Sequence, residues 1–386
     1  MVYKLDAAGQ ETVLYSFLGG TDGANPKAGL IFDATGNLYG TTSARGTPNA
    51  GTVFKLNAAG QETVLYAFTG GADGDEPLAG LILDQSGNLY GTTINGGTVI
   101  GNFSYGVVFK LAPSGHQTVL HSFTGDDDGG WPAAGLTSGP AGNLYGTAQI
   151  GGKRGGGVIF KLDTAGHEIV LYSFQHSVYG NAPNGVILDP SGNLYGTDAH
   201  GGQGENGYVF KLDVGENLTV LYTFSGLADG ALPFAGVIRN SAGNLYGTTF
   251  AGGPGNYGNG VVYKLDTTGK EIVLCNFTNK DGIGPYAGVT RDAAGNFYGT
   301  TSGGGGYGQE SCSKSTRPAT ILYCTGSPAE TVEASPIMEW SPTRPATSMG
   351  QSAPSRGTRE SCSKSTRQAP IRCCTHSPAR RIPRPA

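Results

Sequence analysis

The chain runs to 386 residues, with 67 glycines and only 14% charged side chains, a turn-rich composition that favours an all-β protein over a helical one. Its formal charge of -4 is unevenly spread: residues 310–386 hold 11 Lys and Arg against 5 Asp and Glu, and the body before them holds 14 against 24. An acidic body lacks the positive footprint that nucleic acid requires, and no stretch reaches the run of about 18 apolar residues that a transmembrane helix needs.

The first residues, MVYKLDAAGQ, show no basic segment followed by an apolar one, so no signal peptide is visible. They fall in mid-repeat, which implies further sequence upstream. From there one unit recurs. GNLYGT or a close variant places its asparagine at Asn37, Asn88, Asn143, Asn193, Asn244 and Asn296, with gaps of 51, 55, 50, 51 and 52.

Each unit carries four short apolar runs, as in LAGLILD (78–84), GNLYGTT (87–93), GVVFKL (106–111) and QTVLHSF (117–123). Runs of this length, rich in Val, Leu, Tyr, Phe and Thr, read as strands. Between the first and second lies a turn phrase such as Asp84-Gln85-Ser86-Gly87-Asn88, and a similar one, Asn57-Ala58-Ala59-Gly60, joins the third to the fourth. An aspartate or asparagine that bonds backbone two residues on, followed by a left-handed glycine, makes a tight hairpin, so each unit is an antiparallel meander.

In VLYSF, Val13, Tyr15 and Phe17 alternate with Leu14, so both faces of such a sheet need cover. Neighbouring units supply it when four-stranded sheets of about 50 residues stack round an axis, the pattern of a β-propeller. A β-solenoid is the second architecture, less favoured because its coils are parallel and lack tight hairpins. The glycine of LYG reads as a point where neighbouring backbones come close. Residues 2–17 offer a third and fourth strand, and residues 287–301 a first and second. Their pairing predicts six blades, closed by the N-terminal strands, over residues 1–308.

The phrases AGLxxDxxGNLYGTTxxGG, GxVFKLDxxG and TVLYSFTGGxDGxxP resemble the GloVer tandem repeat of bacterial exported proteins. The resemblance covers roughly residues 1–308. It implies a propeller-like fold and an extracellular or cell-surface location, and brings neither catalytic residues nor a ligand.

After residue 308 the pattern stops. ESCSKSTR stands at 310–317 and again at 360–367, where the repeat predicts a strand like GVVFKLD. One choice of codons for ESCSKSTR, read from its third base, gives VVFKVDQ, and ETVEASPIMEWSPTRPATSMG (330–350) shifted the same way yields DGGSFPYNGVVTDSAGNLYG. Residues 309–386 therefore read as further repeats in a displaced frame, expected to form a disordered tail. Five of the six cysteines lie there, which leaves Cys275 alone in the body without disulfide framework or metal-ligand spacing.

In a meander the two tight turns share one edge, and the variable loops share the other. The loop edge carries DG phrases at Asp22, Asp73, Asp128, Asp229 and Asp281, the long Ile94–Tyr105 loop and the basic GGKRGGG (151–157). Ligand-binding candidates there are Asp73, Asp75, Asp126, Asp128, Trp131, Lys153, Arg154 and Tyr257. The clustered carboxylates of Asp73, Asp75 and Glu76, and of Asp126, Asp127 and Asp128, allow Ca²⁺ but lack a full ligand spacing, so turn structure is the favoured reading and no cofactor is expected. Asp33, Asp84, Asp189 and Asp292 read as turn caps. GGKRGGG lacks the lysine-hydroxyl pair of a P-loop. His121 replaces the tyrosine of VLYSF and reads as structural. Trp131, Phe103, Tyr105, Tyr179 and Tyr257 are candidates for an aromatic sugar platform.

Without a GxSxG elbow, HExxH or Cys-His pair, the expected function is a non-enzymatic, exported binding or interaction module. It would be monomeric, with an unknown protein or carbohydrate ligand. The second reading is a carbohydrate-active propeller enzyme, a lyase or hydrolase, centred on Asp126 to Asp128, Lys153, Arg154 and His200; the third is a non-functional fragment of a longer repeat protein.

Overall fold

The computed structural model of the protein describes residues 1–5, 11–175, 183–254, 258–279, 282–292, 295–303, 312–314, 321–325 and 348–351. Among these, regular structure is all strand apart from two 3-10 turns, Pro140–Gly142 and Gln203–Glu205. Blade 2 shows the unit: Ile82–Leu83, Leu89–Thr93, Val107–Leu111 and Gln117–Ser122 form a four-stranded sheet in sequence order, every pair antiparallel. Blades 1, 3, 4 and 5 repeat that order, beginning at Ile31, Thr137, Ile187 and Ile238.

The turn phrase folds as a network. Asp84 Oδ1 accepts from the backbone N–H of Ser86 and Asn88 at 2.8 and 2.9 Å, while Oδ2 accepts from Asn88 Nδ2 at 2.7 Å and Tyr90 Oη at 3.0 Å. Asp33 and Asp189 repeat this arrangement, and Asp292 accepts from the Asn296 backbone and side chain and from Tyr298. The asparagine and tyrosine of GNLY are thus explained by the aspartate that precedes them. Gly87 stands at φ 81°, where a Cβ would be strained.

The fourth strand departs from simple alternation. In blades 1 to 5 and in the N-terminal hairpin its pairing with the third strand slips by one residue, between Val119 and His121 in blade 2, so that the intervening leucine forms a bulge. Both the leucine and the following aromatic, Leu65 and Tyr66 for example, then pack toward the next blade.

Blades stack through one repeated contact. Phe17, Phe68, Phe123, Phe174 and Phe224 each set an edge against Phe54, Phe109, Phe160, Phe210 and Tyr263 of the following blade, with centroids 4.9 to 5.5 Å apart. Such pairs contribute about 0.5–1.5 kcal/mol each beyond the area they bury. The first threonine of LYGTT adds a buried hydrogen bond across the joint: Thr41, Thr92, Thr197 and Thr248 donate to the carbonyls of Ala79, Ala134, Ala235 and Ala287 at 3.2, 3.2, 2.8 and 2.9 Å.

The glycine of LYG has a different purpose from the one expected. A Cβ on Gly91 would lie 2.7 Å from Phe109 and 2.9 Å from Leu81 of its own blade, so this glycine makes room for the third strand's ring. Neighbouring backbones meet instead at the glycine of the AG phrase, where a Cβ on Gly236 would lie 2.5 Å from the Gly185 carbonyl oxygen.

The chain ends also differ from expectation. The N-terminal strands Val2–Leu5 and Glu11–Tyr15 do not complete the sheet of Thr290–Arg291 and Phe297–Thr301. That sheet takes Ile321–Thr325, in parallel, and Cys312–Lys314, while Val2–Leu5 pairs with Ser348–Gln351. The described residues therefore form seven sheets rather than six, because the stretch after residue 308 supplies strands to the last two. Those three strands replace an unbroken disordered tail, and the rest of residues 309–386 lies outside the described residues. The N-terminal hairpin packs against blade 1, with Leu14, Tyr15 and Phe17 on the cluster of Val2, Leu30, Leu38, Phe54 and Leu56.

Candidate functional site

The DG loops are closed by their own aspartates. Asp73 accepts from Tyr66 Oη at 2.8 Å, from the Thr69 backbone at 2.8 Å and from the Thr69 hydroxyl. Asp22 and Asp229 do the same with Tyr15 and Tyr222, at 3.1 and 2.9 Å. In blade 2 the tyrosine is His121, whose Nε2 lies 3.3 Å from Asp128 Oδ2, an ion-pair contact without hydrogen-bond geometry. Asp128 also accepts from the Thr124 backbone at 2.9 Å and from its hydroxyl. Burial works against ionisation of Asp128, but His121 and Thr124 hold its carboxyl below the ordinary range.

Asp128, Lys153 and Arg154 are brought together. With Asp127, Glu168, Tyr172, Ser173 and Glu216 they line an open cleft of 640 Å³. Lys153 and Arg154 are exposed, and neither enters an ion pair among the described residues; Arg154 is fixed through its backbone N–H, which donates to Ser173 Oγ at 3.0 Å. Burial pushes the Glu168 carboxyl up to about 7, with His121 opposing and Asp128 adding to the rise. Glu168 and Glu216 belong to the tight-turn edge, which sequence reasoning kept apart from the loops. Twist brings the edges together: the turn glycine Gly166 is seated over the Leu120 carbonyl of the preceding blade's outer strand.

The other candidates scatter. Asp73 is engaged in its loop, and Asp75, half-buried, has its carboxyl raised by burial and by Asp73, with the Glu76 backbone opposing. Asp126 closes a turn through its carbonyl, which accepts from Gly129 and Gly152. Among the described residues no three His, Cys, Asp or Glu side chains converge as a metal ion would require. Tyr179 and Tyr257 lie outside the described residues. Phe103 is 64% exposed, and Tyr105 packs beneath Gly125 and Gly130. The aromatic grouping that does form is another one, in which Phe234, Phe250 and Tyr286 contact each other across blades 4 to 6 with His200 beside Phe234.

Trp131 is 39% exposed and has φ 58°. Asn25, Glu76 and Leu232 take the same left-handed conformation immediately before a proline, and Gly284 fills that place in blade 6. Trp131 is pinned on both sides: its N–H donates to the Tyr105 carbonyl at 2.8 Å, and its carbonyl accepts from Gln149 at 3.2 Å. A side chain that changes from blade to blade on a constant, strained backbone is a signal that a sequence scan for motifs passes over.

No curated protein matches the chain. Solved structures similar to it include a gluconolactonase of Xanthomonas campestris (15% identity, 75% of this chain and 86% of that one, TM-score 0.45). A Bacteroides uniformis protein assigned as a 6-phosphogluconolactonase matches at 14% identity (74% and 78%, TM-score 0.47). A Thermus thermophilus protein assigned as a glucose dehydrogenase matches at 16% (66% and 84%, TM-score 0.39). The expectation of a non-enzymatic binding module is not upheld by these matches, all of which are named as enzymes, and likeness at this level assigns neither an enzyme class nor a reaction to the chain. The Gloeobacter/Verrucomicrobia repeat model matches residues 1–197 and 182–325, and the chain belongs to that repeat family.

Proposed function

We propose that this protein is a carbohydrate-acting hydrolase of propeller architecture whose reaction centre is the cleft lined by Asp128, Lys153, Arg154 and Glu168. The observation that supports it is a pair of carboxyls displaced in opposite senses within one cleft, Glu168 upward and Asp128 downward. Such a split separates an acid from a base at neutral pH. Glu168 gives its proton to the leaving oxygen as the carbon–oxygen bond breaks, and Asp128, beside His121, takes a proton from the water that attacks the same carbon. Lys153 and Arg154 favour a sugar that carries a carboxylate.

The test is turnover of 4-nitrophenyl glucuronide, 4-nitrophenyl glucoside and gluconolactone by the purified full chain, with Glu168→Gln beside it. Turnover that prefers the charged sugar and falls by about 100-fold or more in the variant is expected. Gln117 holds the corresponding place in blade 2, so the substitution retains the fold. Absence of turnover on all three substrates, or full activity in E168Q, refutes the assignment. An extracellular setting goes with this reading through the family resemblance, and fractionation of cells that make the protein tests it. No helix among the described residues is long and apolar enough to cross a membrane.

We infer also that the residues after Tyr307 are repeats read in a displaced frame. Ser348–Gln351 supports this: Met349 is opposite Lys4 and Gly350 opposite Tyr3, as Tyr39 and Gly40 are opposite Lys55 and Phe54 in blade 1. The strand thus holds the place of LYGT. Resequencing the coding DNA across codons 300–315 tests it: an inserted or missing base that restores GVVFKVDQ is expected, and a confirmed frame counts against a sequencing origin.

A further inference from the structure

Four outer strands begin with a residue that faces the DG loop before its own blade: Glu62, Gln117, Glu168 and Glu271. Gln117 shows what that position does. Its Nε2 donates to the backbone carbonyl of Asp73 at 3.1 Å, a hydrogen bond that ties blade 2 to the loop entering it. The glutamates hold the same strand position and each feels the charge of its facing aspartate, Asp22, Asp128 or Asp229, yet Oε1 of Glu62, Glu168 and Glu271 is buried without a hydrogen-bond partner. A carboxylate has no proton to offer a carbonyl; a neutral carboxylic acid does, and it has the shape of glutamine.

We propose that Glu62, Glu168 and Glu271 are proton-dependent clasps between blades, each donating as a neutral acid to the backbone carbonyl of the aspartate across its joint and loosening that joint when it ionises. The surroundings of each clasp favour the proton. Glu62 faces Asp22 and Tyr15, and Glu271 faces Asp229, Tyr222 and Tyr263. Glu168 faces Asp128 and His121, with Asp127, Lys153, Arg154 and Glu216 lining the same cleft. Burial first, then the facing aspartate, raises Glu62 and Glu271 to about 7 from an ordinary value near 4.5. Between those two pH values the folded chain holds a proton that the unfolded chain has released. Stability is therefore fully present below about pH 4.5 and is lost as pH rises through about 7. At Glu168 the clasp and the catalytic acid draw on one proton, so the inference is carried by Glu62 and Glu271, which lie at other joints and are independent of the catalytic reading.

The experiment is urea unfolding of the full chain from about pH 5 to pH 8, for the wild type, Glu62→Gln/Glu271→Gln and Gln117→Glu. Each glutamate is expected to lower the folding equilibrium constant by about tenfold over that range, a figure reduced from the full linkage limit because the carboxyls are partly solvated. The double glutamine variant should lose the contributions of Glu62 and Glu271, keep only that of Glu168, and be the more stable protein at pH 8. Gln117→Glu should add a fourth acid and steepen the fall. Carbon-13 carboxyl NMR of the wild type gives a reading that needs no variant, with glutamate resonances titrating near 7. Wild-type and E62Q/E271Q profiles that run parallel, or all glutamate carboxyls titrating near 4.5, overturn the proposal whatever the cleft does catalytically.

Discussion

Replacing Asp84 by alanine removes the acceptor for four hydrogen bonds at one hairpin turn: two from backbone N–H groups, one from the Asn88 amide and one from Tyr90 Oη. The turn is half-exposed, so water recovers part of what is lost, and the net effect is about 2–3 kcal/mol, less than four isolated charge-assisted bonds would sum to. Asp84→Asn should lose far less, about 1 kcal/mol. Blade 5 already carries the asparagine version: Asn240 Oδ1 accepts from the Asn244 backbone at 3.0 Å, and its Nδ2 donates to Tyr246 Oη at 3.1 Å with the polarity of that bond reversed. Urea unfolding at pH 7 measures both variants against wild type. If alanine and asparagine destabilise equally, or alanine by less than about 0.5 kcal/mol, the turn is held by its glycine and strand pairing and the carboxylate network is incidental.

Thr248→Val should destabilise by about 1–3 kcal/mol, measured in the same way, because it leaves the Ala287 carbonyl unpaired at a buried joint. Gly91→Ala should cost about 1–3 kcal/mol through collision with Phe109 and Leu81, and Phe109→Leu in the same chain should recover part of it in a double-mutant cycle. The acid limb of the pH profile has the opposite sign from the clasp effect. Asp84 and Asp189 are held below the ordinary carboxylate range, with burial outweighed by hydrogen bonds led by Asn88 and Asn193; stability from them is present above about pH 4 and lost as pH falls further. Thermal unfolding across pH should therefore peak near pH 4.5–5; a maximum above pH 7 would contradict the clasp assignment, and no loss of stability below pH 4 would contradict that of the aspartates.

Much of the fold was legible because turn chemistry and strand length are local properties. Asp84 to Asn88 announced a hairpin, and the period of GNLYGT announced stacked sheets. The bulge at Leu65 was not legible, since it answers a demand from blade 2 that both Leu65 and Tyr66 be covered. The purpose of Gly91 was misread for the same reason: the ring it accommodates lies 18 positions away in sequence. At the cleft, Asp128, Lys153 and Arg154 were named from loop composition, whereas Glu168 was missed because strand twist, which no local pattern displays, carries a turn-edge residue to the rim. In sequence, nothing separates Glu62 and Glu271 from any polar residue at the start of a strand, and only the burial and facing aspartates of the folded chain give them a different character.

The seating of each tight turn on its predecessor has a consequence for how the molecule is assembled. Gly60, Gly166 and Gly269 lie over the carbonyls of Leu14, Leu120 and Leu221, always on the outer strand of the blade that comes earlier in the chain. A polypeptide leaving the ribosome presents that outer strand before the turn that will rest on it, so each new blade emerges beside a finished template. Growth is thereby directional, and the joint between Ser348–Gln351 and Val2–Leu5 must wait until the blades between them have emerged.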